Sequence, residues 1–293
     1  MTVGALVDRM FRDYLANPAD TPVQVQTQSL VSDVATTVTY SDEMMAEEVS
    51  AIGPGTVVEL GLEMLRVIAH DENTRVLTVT RGLYGTDVVE HPAGTLMRVA
   101  PRWPRRVVFD AIADEIVSLY PAVYAEGSEW GDAREGLVEI NDAYAVSVLE
   151  ARQLDGHSYE PVVAELVRVA DVSTGIAVQF EGRSGGSGDV LIRYARTFPR
   201  PNTEDVTLAS LGIDPSWDRI ILFGALMSLI FQPDVDAVTQ EFVSEALENQ
   251  GFPPSTGAQL AVTLARLRQT MLMAAGTRLR ARNSVTTVYR REL

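Results

Sequence analysis

The 293-residue sequence contains no cysteine and no lysine. Without cysteine, the chain can form neither a disulfide framework nor a thiolate metal site. Without lysine, it lacks the cation of a phosphate-binding loop, so the glycine-rich run at 184–188 predicts a flexible hairpin tip. The use of arginine for all 24 basic residues is explained most simply by the codon bias of a GC-rich genome.

Other signatures of chemistry are also missing. No histidine lies three or four residues from another, so a histidine-based metal site has no support. No serine lies in a nucleophile elbow. Carboxylates are abundant, but no spacing distinguishes a catalytic pair from surface residues. The sequence therefore predicts no catalysis, no cofactor and no metal; the histidines and carboxylate pairs considered are His70, His91, His157, Glu139 with Asp142, and Asp132 with Glu135.

Long hydrophobic runs are scarce. The longest, at 220–231, is interrupted by Gly224 and Ser228 and is shorter than the roughly 20 residues that span a bilayer. The N-terminus has no basic region followed by an apolar run, so no signal peptide is expected. Hydrophobic residues make up 46% and charged residues 22%, which is typical of one large globular domain or two to three smaller ones.

Charge is distributed unevenly along the chain. Residues 266–293 contain seven arginines and one acid, Glu292, which gives +6. The other 17 arginines and 39 acids give −22, so the net charge is −16. An acidic body is unsuited to wrapping DNA over a large face. It does suit a basic end that docks on an acidic neighbour, or a channel wall that must not retain passing DNA.

Helical patterns occur at 2–15, 105–120, 215–249 and 256–282. In each, apolar residues recur at intervals of three and four, and capping residues or prolines mark several ends. The run at 220–231 is apolar nearly all round, so it is expected to be central.

Between these helices, apolar residues recur at every second position. Five short runs within 137–194 alternate as strands do and favour a small sandwich, because antiparallel strands need a second layer to bury one face. The glycine-rich, acidic run at 125–135 predicts a linker. The basic, β-branched end at 284–293 predicts an extended arm.

The stretch 57–104 predicts a small, twisted β unit. Arg75–Thr80 alternates cleanly, and a turn cluster separates it from the preceding strand, which is a hairpin signal. Gly82 and Gly85 then break the chain where a positive φ is needed. We expect this β unit to follow the first helix and to end where Pro104 starts the next one.

This stretch resembles a β module found in virion proteins of tailed bacteriophages. The residues that carry the resemblance over about forty positions are Glu63, Val67, Thr78, Val79, Thr80, Arg81, Gly82, Gly85, Thr86, His91, Gly94 and Thr95. The helical pattern also resembles the adaptor rings beneath the portal of long-tailed phages. The resemblance implies a non-enzymatic neck protein of the virion that forms a ring, dodecameric in that family. Its implied partners are the portal and a tail-side connector or stopper, with genomic DNA passing through without sequence recognition.

The expected fold class is α+β: an adaptor-like helical bundle with two inserted β modules. The expected domains are a bundle core (1–16, 101–124 and 202–283), a small β module (17–100), a β-sandwich-like insertion (125–201) and a C-terminal arm (284–293). The β-module residues of interest are Arg81, Gly82, Gly85, Thr86, His91 and Gly94. The residues expected to dock on a partner are Arg266, Arg268, Arg278, Arg280, Arg282, Val285, Val288, Arg290 and Arg291.

Alternatives stay open for the C-terminal arginines and for the whole chain. For the arginines, the alternatives are pairing with protein, a solvated surface and contact with nucleic acid. For the whole chain, the alternatives to a neck protein are a distal tail or baseplate component and a carbohydrate-binding or hydrolytic module. A neck adaptor should gather its helices in one bundle, whereas a sugar-binding module should have an aromatic-lined groove, and aromatics are only 7%.

Overall fold

A computed structural model of the chain describes residues 1–15, 23–41, 52–155, 158–161, 167–172, 175–180, 188–230, 248, 258–282 and 290–291. The chain forms two compact units. One, which we call the half-barrel unit, comprises Val7–Ala111 and Leu229–Gly257. The other, the two-sheet unit, comprises Met1–Leu6, Ile112–Ser228 and Ala258–Leu293.

The half-barrel unit is built on a curled antiparallel sheet of six strands. Its strand order is β1-β6-β3-β4-β5-β2. Hairpin turns join β3 to β4 and β4 to β5, while β1 and β2 form the two edges. The strands are β1 (Val23–Gln26), β2 (Thr37–Thr39), β3 (Val57–Leu60), β4 (Glu63–Asp71), β5 (Val76–Thr80) and β6 (Leu96–Val99).

Alternating side chains of these strands fill one hydrophobic cluster. In β5, for example, Leu77 and Val79 are buried while Thr78 and Thr80 are exposed, as expected for a strand with one covered face. The hairpin predicted around Arg75–Thr80 is confirmed. The core of the six-stranded sheet is supplied by its own strands and the loops between them.

The two-sheet unit contains two four-stranded sheets, with orders β10-β9-β13-β7 and β14-β11-β12-β8. All pairings are antiparallel except that of β14 with β11. Side chains from both sheets meet in a second hydrophobic cluster. The strands are β7 (Ala125–Asp132), β8 (Leu137–Ile140), β9 (Ala145–Asp155), β10 (Ser158–Pro161), β11 (Val167–Val172), β12 (Gly175–Phe180), β13 (Asp189–Arg196) and β14 (Arg290–Arg291).

The linker predicted at 125–135 is wrong, because β7 occupies most of it and pairs with β13 along its whole length. Two glycines make this edge strand possible. A Cβ on Gly127 would lie 2.4 Å from Cζ of Tyr194, and a Cβ on Gly131 would lie 2.3 Å from Cγ1 of Val138. The glycines that resemble linker composition therefore provide room for neighbouring side chains.

Four α-helices occur in the described part of the chain: α1 (Val3–Met10), α2 (Arg105–Ser118), α3 (Asp218–Ile230) and α4 (Ala258–Arg282). A π-helical turn, Phe11–Leu15, continues α1. Asp214 caps the short 3-10 turn Pro215–Trp217 before α3. The predicted burial of this region is confirmed, since Ile220, Leu222, Phe223, Leu226, Leu229 and Ile230 are at most 2% exposed. None of the described helices has the length and apolar character needed to cross a membrane.

The expected helical bundle with inserted β modules is wrong: the chain is mostly β-structure. The apolar stripe at 105–120 was identified correctly, as the complete burial of Ile112 and Ile116 illustrates. Apart from residue 248, the part of the 215–249 pattern beyond Ile230 lies outside the described residues. Such a stripe predicts a covered face but does not identify what covers it. Both hydrophobic clusters consist of residues from strands and their connections, so the sheets carry cores of their own.

Candidate functional site

The residues of the phage-like motif meet around one buried carboxylate, Glu63, at the start of β4. Arg81, which follows β5, donates from Nε to Oε1 at 2.8 Å and from Nη2 to Oε2 at 2.5 Å. His91 places Nε2 2.8 Å from Oε2. The three side chains are 0–7% exposed. We call these three residues the Glu63 clamp.

The clamp also holds the connection between β5 and β6. The guanidinium of Arg81 donates to the carbonyl oxygens of Ser32 and Val89. The backbone of His91 exchanges two hydrogen bonds of 2.9 Å with Val31. One arginine and one histidine thus fasten a long loop to the sheet and to the segment before β2.

The turn after Arg81 depends on backbone conformations that glycine adopts easily. Gly82 and Gly85 have φ values of 66° and 76°, which confirms the conformations predicted for them. Tyr84 between them also has a positive φ, 57°. Thr86 then accepts a hydrogen bond from the Met64 backbone at 3.1 Å, so the turn is tied back to β4.

Gly94 completes the motif. Its φ is 82°, and its N–H donates to the carbonyl oxygen of Thr27 at 2.7 Å. All six motif residues named from the sequence therefore take part in one loop structure.

The electrostatics of the clamp keep the Glu63 carboxylate ionised. Burial acts to raise the pKa of Glu63, but hydrogen bonds from Arg81 and His91 outweigh it and lower that pKa to about 2. A carboxylate held ionised and enclosed in this way is a poor proton carrier near neutral pH. The arrangement can hold a loop; it offers no accessible acid or base.

A second buried glutamate, Glu59 on β3, has different surroundings. It is 1% exposed, and its Oε1 accepts the backbone N–H of Arg105 at the start of α2. Its Oε2 has no hydrogen-bond partner among the described residues. Burial raises the pKa of Glu59 to about 7, although Arg98 and Arg105 act in the opposite direction. Nearby lies a cavity of about 160 Å³ lined by Glu59, Gly61, Thr95, Leu96, Arg98 and Arg105.

The arginines predicted to dock on a partner have different positions along α4. Arg266, Arg278 and Arg280 are exposed. Arg282 is also exposed but is paired with Glu126 at 2.6 Å. Arg268 is turned inward. These positions leave Arg266, Arg278 and Arg280 as the accessible cations of the helix.

Arg268 belongs to the interior of the two-sheet unit. Its Nε donates to Oε1 of the buried Glu115 at 2.6 Å, and its Nη2 donates to Ser118 at 2.9 Å. Burial raises the pKa of Glu115 even though Arg268 acts to lower it. Gly224 on α3 makes room for this pair, since a Cβ there would lie 2.0 Å from Cδ of Glu115.

The C-terminal arm is described only at Arg290–Arg291. These residues pair in parallel with β11 of the same chain, Arg168 opposite Arg290 and Val169 opposite Arg291. Val285 and Val288 lie outside the described residues, and so does His157. Docking of the arm on another protein stays a prediction.

A cavity of about 370 Å³ lies near the predicted docking residues. It lies between the C-terminal end of α4, the 212–217 turn and the start of β7. Arg278 and Arg282 line it together with Glu126 and Asp214, and buried apolar residues such as Trp217 contribute as well. It is the place where the basic helix offers a concave surface.

The described residues contain no group of three or more histidines and carboxylates that could hold a metal ion. His70 is engaged with Tyr40 at 2.7 Å and with the Ile52 carbonyl oxygen at 2.8 Å. Of the carboxylate pairs considered, Asp132 caps a turn through Arg134, and Asp142 contacts Arg196. These residues have structural partners.

Sequence reasoning missed Glu59, Glu115 and Glu126. Glu59 had a signal, because it is a charged residue in an otherwise apolar strand, Val57–Leu60. The Glu115–Arg268 and Glu126–Arg282 pairs join residues more than 150 positions apart, and no local pattern reveals such pairs. Comparison of the chain with protein-family models and with curated proteins finds no match.

Proposed function

We propose that the chain is a structural subunit of the neck of a long-tailed bacteriophage, forming a ring between the portal and the tail-side connector. The observation that carries the proposal is that the phage-like motif has a common structural purpose. Arg81 and His91 hold Glu63, Gly82 and Gly85 form the turn, and Gly94 closes the loop. The resemblance therefore rests on residues that act together.

The charge pattern supports the same function. The exposed arginines of α4 lie in a chain whose net charge is −16. Subunits of a closed ring use two different complementary surfaces, and opposite charges suit such a contact. An acidic remainder also avoids retaining DNA that passes through the ring. In this proposal the protein is located in the virion, has no catalytic activity and needs no cofactor.

A distal tail or baseplate subunit is the second candidate. The observation that favours it is the strand-rich structure, because the adaptor pattern had been expected to place its helices in one bundle. The two candidates share a structural role in the virion but differ in location.

Location is therefore the deciding measurement. Gold-labelled antibodies against the full chain would be applied to intact phage particles that contain it, and the particles would be imaged by electron microscopy. Labels at the head–tail junction support the neck proposal. Labels at the distal tip select the second candidate, and particles that lack the protein contradict both.

A further inference from the structure

Five apolar side chains are exposed on the two pieces of chain that the Glu63 clamp joins, the loop at 82–94 and the segment at 30–34. Each of them is 43–83% exposed. Exposed apolar side chains that are gathered on one surface often mark a site of contact with another molecule. We call these residues the loop patch: Leu30, Val34, Tyr84, Val88 and Val89.

The two pieces of the loop patch lie next to each other. The guanidinium of Arg81 donates to the carbonyl oxygens of Ser32 and Val89, so both pieces contact the same side chain. The backbones of Val31 and His91 exchange two hydrogen bonds. The patch is therefore held in place before a partner arrives, and binding would not have to order the loop first.

Tyr84 is the residue of the patch that burial within the chain explains least. Its φ is 57°, a value that tyrosine rarely adopts, and it lies between Gly82 and Gly85, which also have positive φ. Its side chain is nevertheless 73% exposed, so the fold gains little burial from this conformation. Such backbone conformations are concentrated at functional sites, and tyrosine is enriched in protein interfaces.

Acidic residues border the loop patch. Asp33, Asp87 and Glu90 are exposed, and they form no ion pair in the described part of the chain. The loop and the segment contain no arginine, and their one histidine, His91, is buried against Glu63. A partner that fits this surface should therefore combine apolar side chains with positive charge.

The outward face of α4 has this chemistry. Val262 and Met273 are 50% and 60% exposed, and Arg266 and Arg280 are exposed as well. On a helix of 3.6 residues per turn, these four side chains lie within about 40° of one another. Helix α4 contains no carboxylate, and within the described residues neither arginine forms an ion pair. We call these four residues the α4 stripe.

We propose that the α4 stripe of one copy of the chain docks on the loop patch of a second copy. Arg266 and Arg280 face the acids that border the patch, while Val262 and Met273 cover Tyr84 and its apolar neighbours. The two surfaces are different parts of the chain, so the contact is head-to-tail and can repeat around a ring. This inference rests on the proposed function, for which it names the subunit contact.

Charge reversal on each surface tests the contact. Arg266→Glu with Arg280→Glu should weaken self-association of the full chain by about tenfold or more, because carboxylates would then face carboxylates. Asp87→Arg with Glu90→Arg should also weaken it. All four substitutions in one chain should restore most of the lost affinity. Sedimentation equilibrium over a range of protein concentrations gives the association constants, and circular dichroism with thermal melting checks that each variant folds.

A matched pair of substitutions separates this contact from a general effect of charge. Arg66→Glu with Arg219→Glu reverses two exposed arginines outside both surfaces and changes the net charge as much as the substitutions in the α4 stripe do. This control should leave self-association nearly unchanged. An equal loss in the control, or no recovery when the four substitutions are combined, would overturn the inference.

Tyr84→Gly tests the loop patch without changing its charge. Glycine adopts the positive φ of this position easily, so the melting temperature should change little. Removal of the exposed ring should weaken self-association by about tenfold, because aromatic side chains often contribute most to an interface. Self-association that is unchanged in this variant would contradict the proposed contact.

Failure here is distinguishable from failure of the proposed function. A wild-type chain whose association is unchanged by all these variants uses another interface, and antibody labelling can still locate it in the neck. A wild-type chain that stays monomeric at every concentration overturns the inference as well, whatever the labelling finds. Labelling outside the virion would contradict the proposed function even if charge reversal succeeded.

Discussion

Glu59 and Glu63 lie on the two strands, β3 and β4, that one tight turn joins, and both are about 1% exposed. Their pKa values nevertheless move in opposite directions, to about 7 and to about 2. Burial acts to raise both. The difference is the set of partners: Glu63 receives hydrogen bonds from Arg81 and His91, whereas one oxygen of Glu59 receives none from the described part of the chain.

Burial alone therefore does not fix the pKa of a carboxylate; the balance between burial and the hydrogen bonds that the carboxylate receives does. Arg98 and Arg105 are close enough to Glu59 to influence it, but Arg98 stacks on Phe11 at 4.7 Å and Arg105 pairs with Asp8 at 2.7 Å. A nearby charge therefore lowers the pKa of a buried carboxyl less than a charged hydrogen bond donated directly to its oxygen does.

The largest expected effect comes from breaking the Glu63 clamp. Arg81→Ala would leave Glu63 buried without its main partner, which should lower the free energy of unfolding by about 3–5 kcal/mol. Urea denaturation followed by circular dichroism measures it. The control is Arg66→Ala, which removes an exposed arginine from β4, the strand of Glu63. This variant should have nearly the same free energy of unfolding as the wild type. Similar losses for both variants would show that Arg81 has no special role.

The second expected effect depends on pH. Because the pKa of Glu59 is raised from 4.5 to about 7, the folded state binds this proton more tightly than the unfolded state does. Its contribution to stability is complete below pH 4.5 and is lost as the pH rises through 7. Glu59→Gln removes the ionisable group, so at pH 8 the variant should be more stable than the wild type by up to about 3 kcal/mol.

The stability contributed by Glu63 has the opposite dependence on pH. The lowered pKa of Glu63 stabilises the fold above pH 4.5, and this stabilisation is lost as the pH falls towards 2. Urea denaturation at pH 4.5, 6 and 8 should show the benefit of Glu59→Gln growing with pH. A constant difference between variant and wild type across this range would contradict the assignment.

A third glutamate extends the comparison to the two-sheet unit. Glu115 has a direct arginine partner, Arg268, yet its pKa is still raised by burial. Gly224→Ala would place a methyl group against its carboxylate and should destabilise the fold by about 1–3 kcal/mol.

The sign of that change is informative, because alanine is the better helix former and would otherwise stabilise α3 by up to about 1 kcal/mol. Ser228→Ala, at an exposed position of α3, is the matched control and should have little effect on the melting temperature. A Gly224→Ala variant that melts higher than the wild type would mean that Glu115 adjusts without loss.

The smallest expected effect concerns the loop that the clamp holds. Gly85 has a φ of 76° and no atom within 4 Å of an added Cβ, so Gly85→Ala should be destabilising by backbone strain alone, about 1 kcal/mol. Gly53→Ala adds the same methyl group in open space without a positive φ and serves as the reference. Equal stability of the two variants would contradict the strained turn.

Local sequence patterns predicted local structure well. The glycines after Arg81 have the expected positive φ, and the hairpin expected around Arg75–Thr80 is present. These features follow from short-range sterics and hydrogen bonds, which a few neighbouring residues determine. The motif identified Arg81 and His91 as important but did not reveal that Glu63 unites them.

Long-range pairing was out of reach. Nothing near Val23 shows that β1 pairs with β6 more than seventy residues later, and nothing near Arg268 indicates Glu115. The helical bundle failed for the same reason, because amphipathic stripes do not specify their partners. The strand β7 was missed because its glycines resemble the composition of a linker. Those glycines provide room for Tyr194 and Val138, which lie on other strands.

The Glu63 clamp should also make local opening of the loop at 82–94 rare. Loops with little regular structure usually open on their own, and their amide protons exchange quickly with solvent. Here Arg81 and His91 join the 82–94 loop to β4 and to the segment near Val31. The amides of Val89 and His91 should therefore exchange as slowly as those of β4, because releasing them requires the sheet and its loop to open as one cooperative unit.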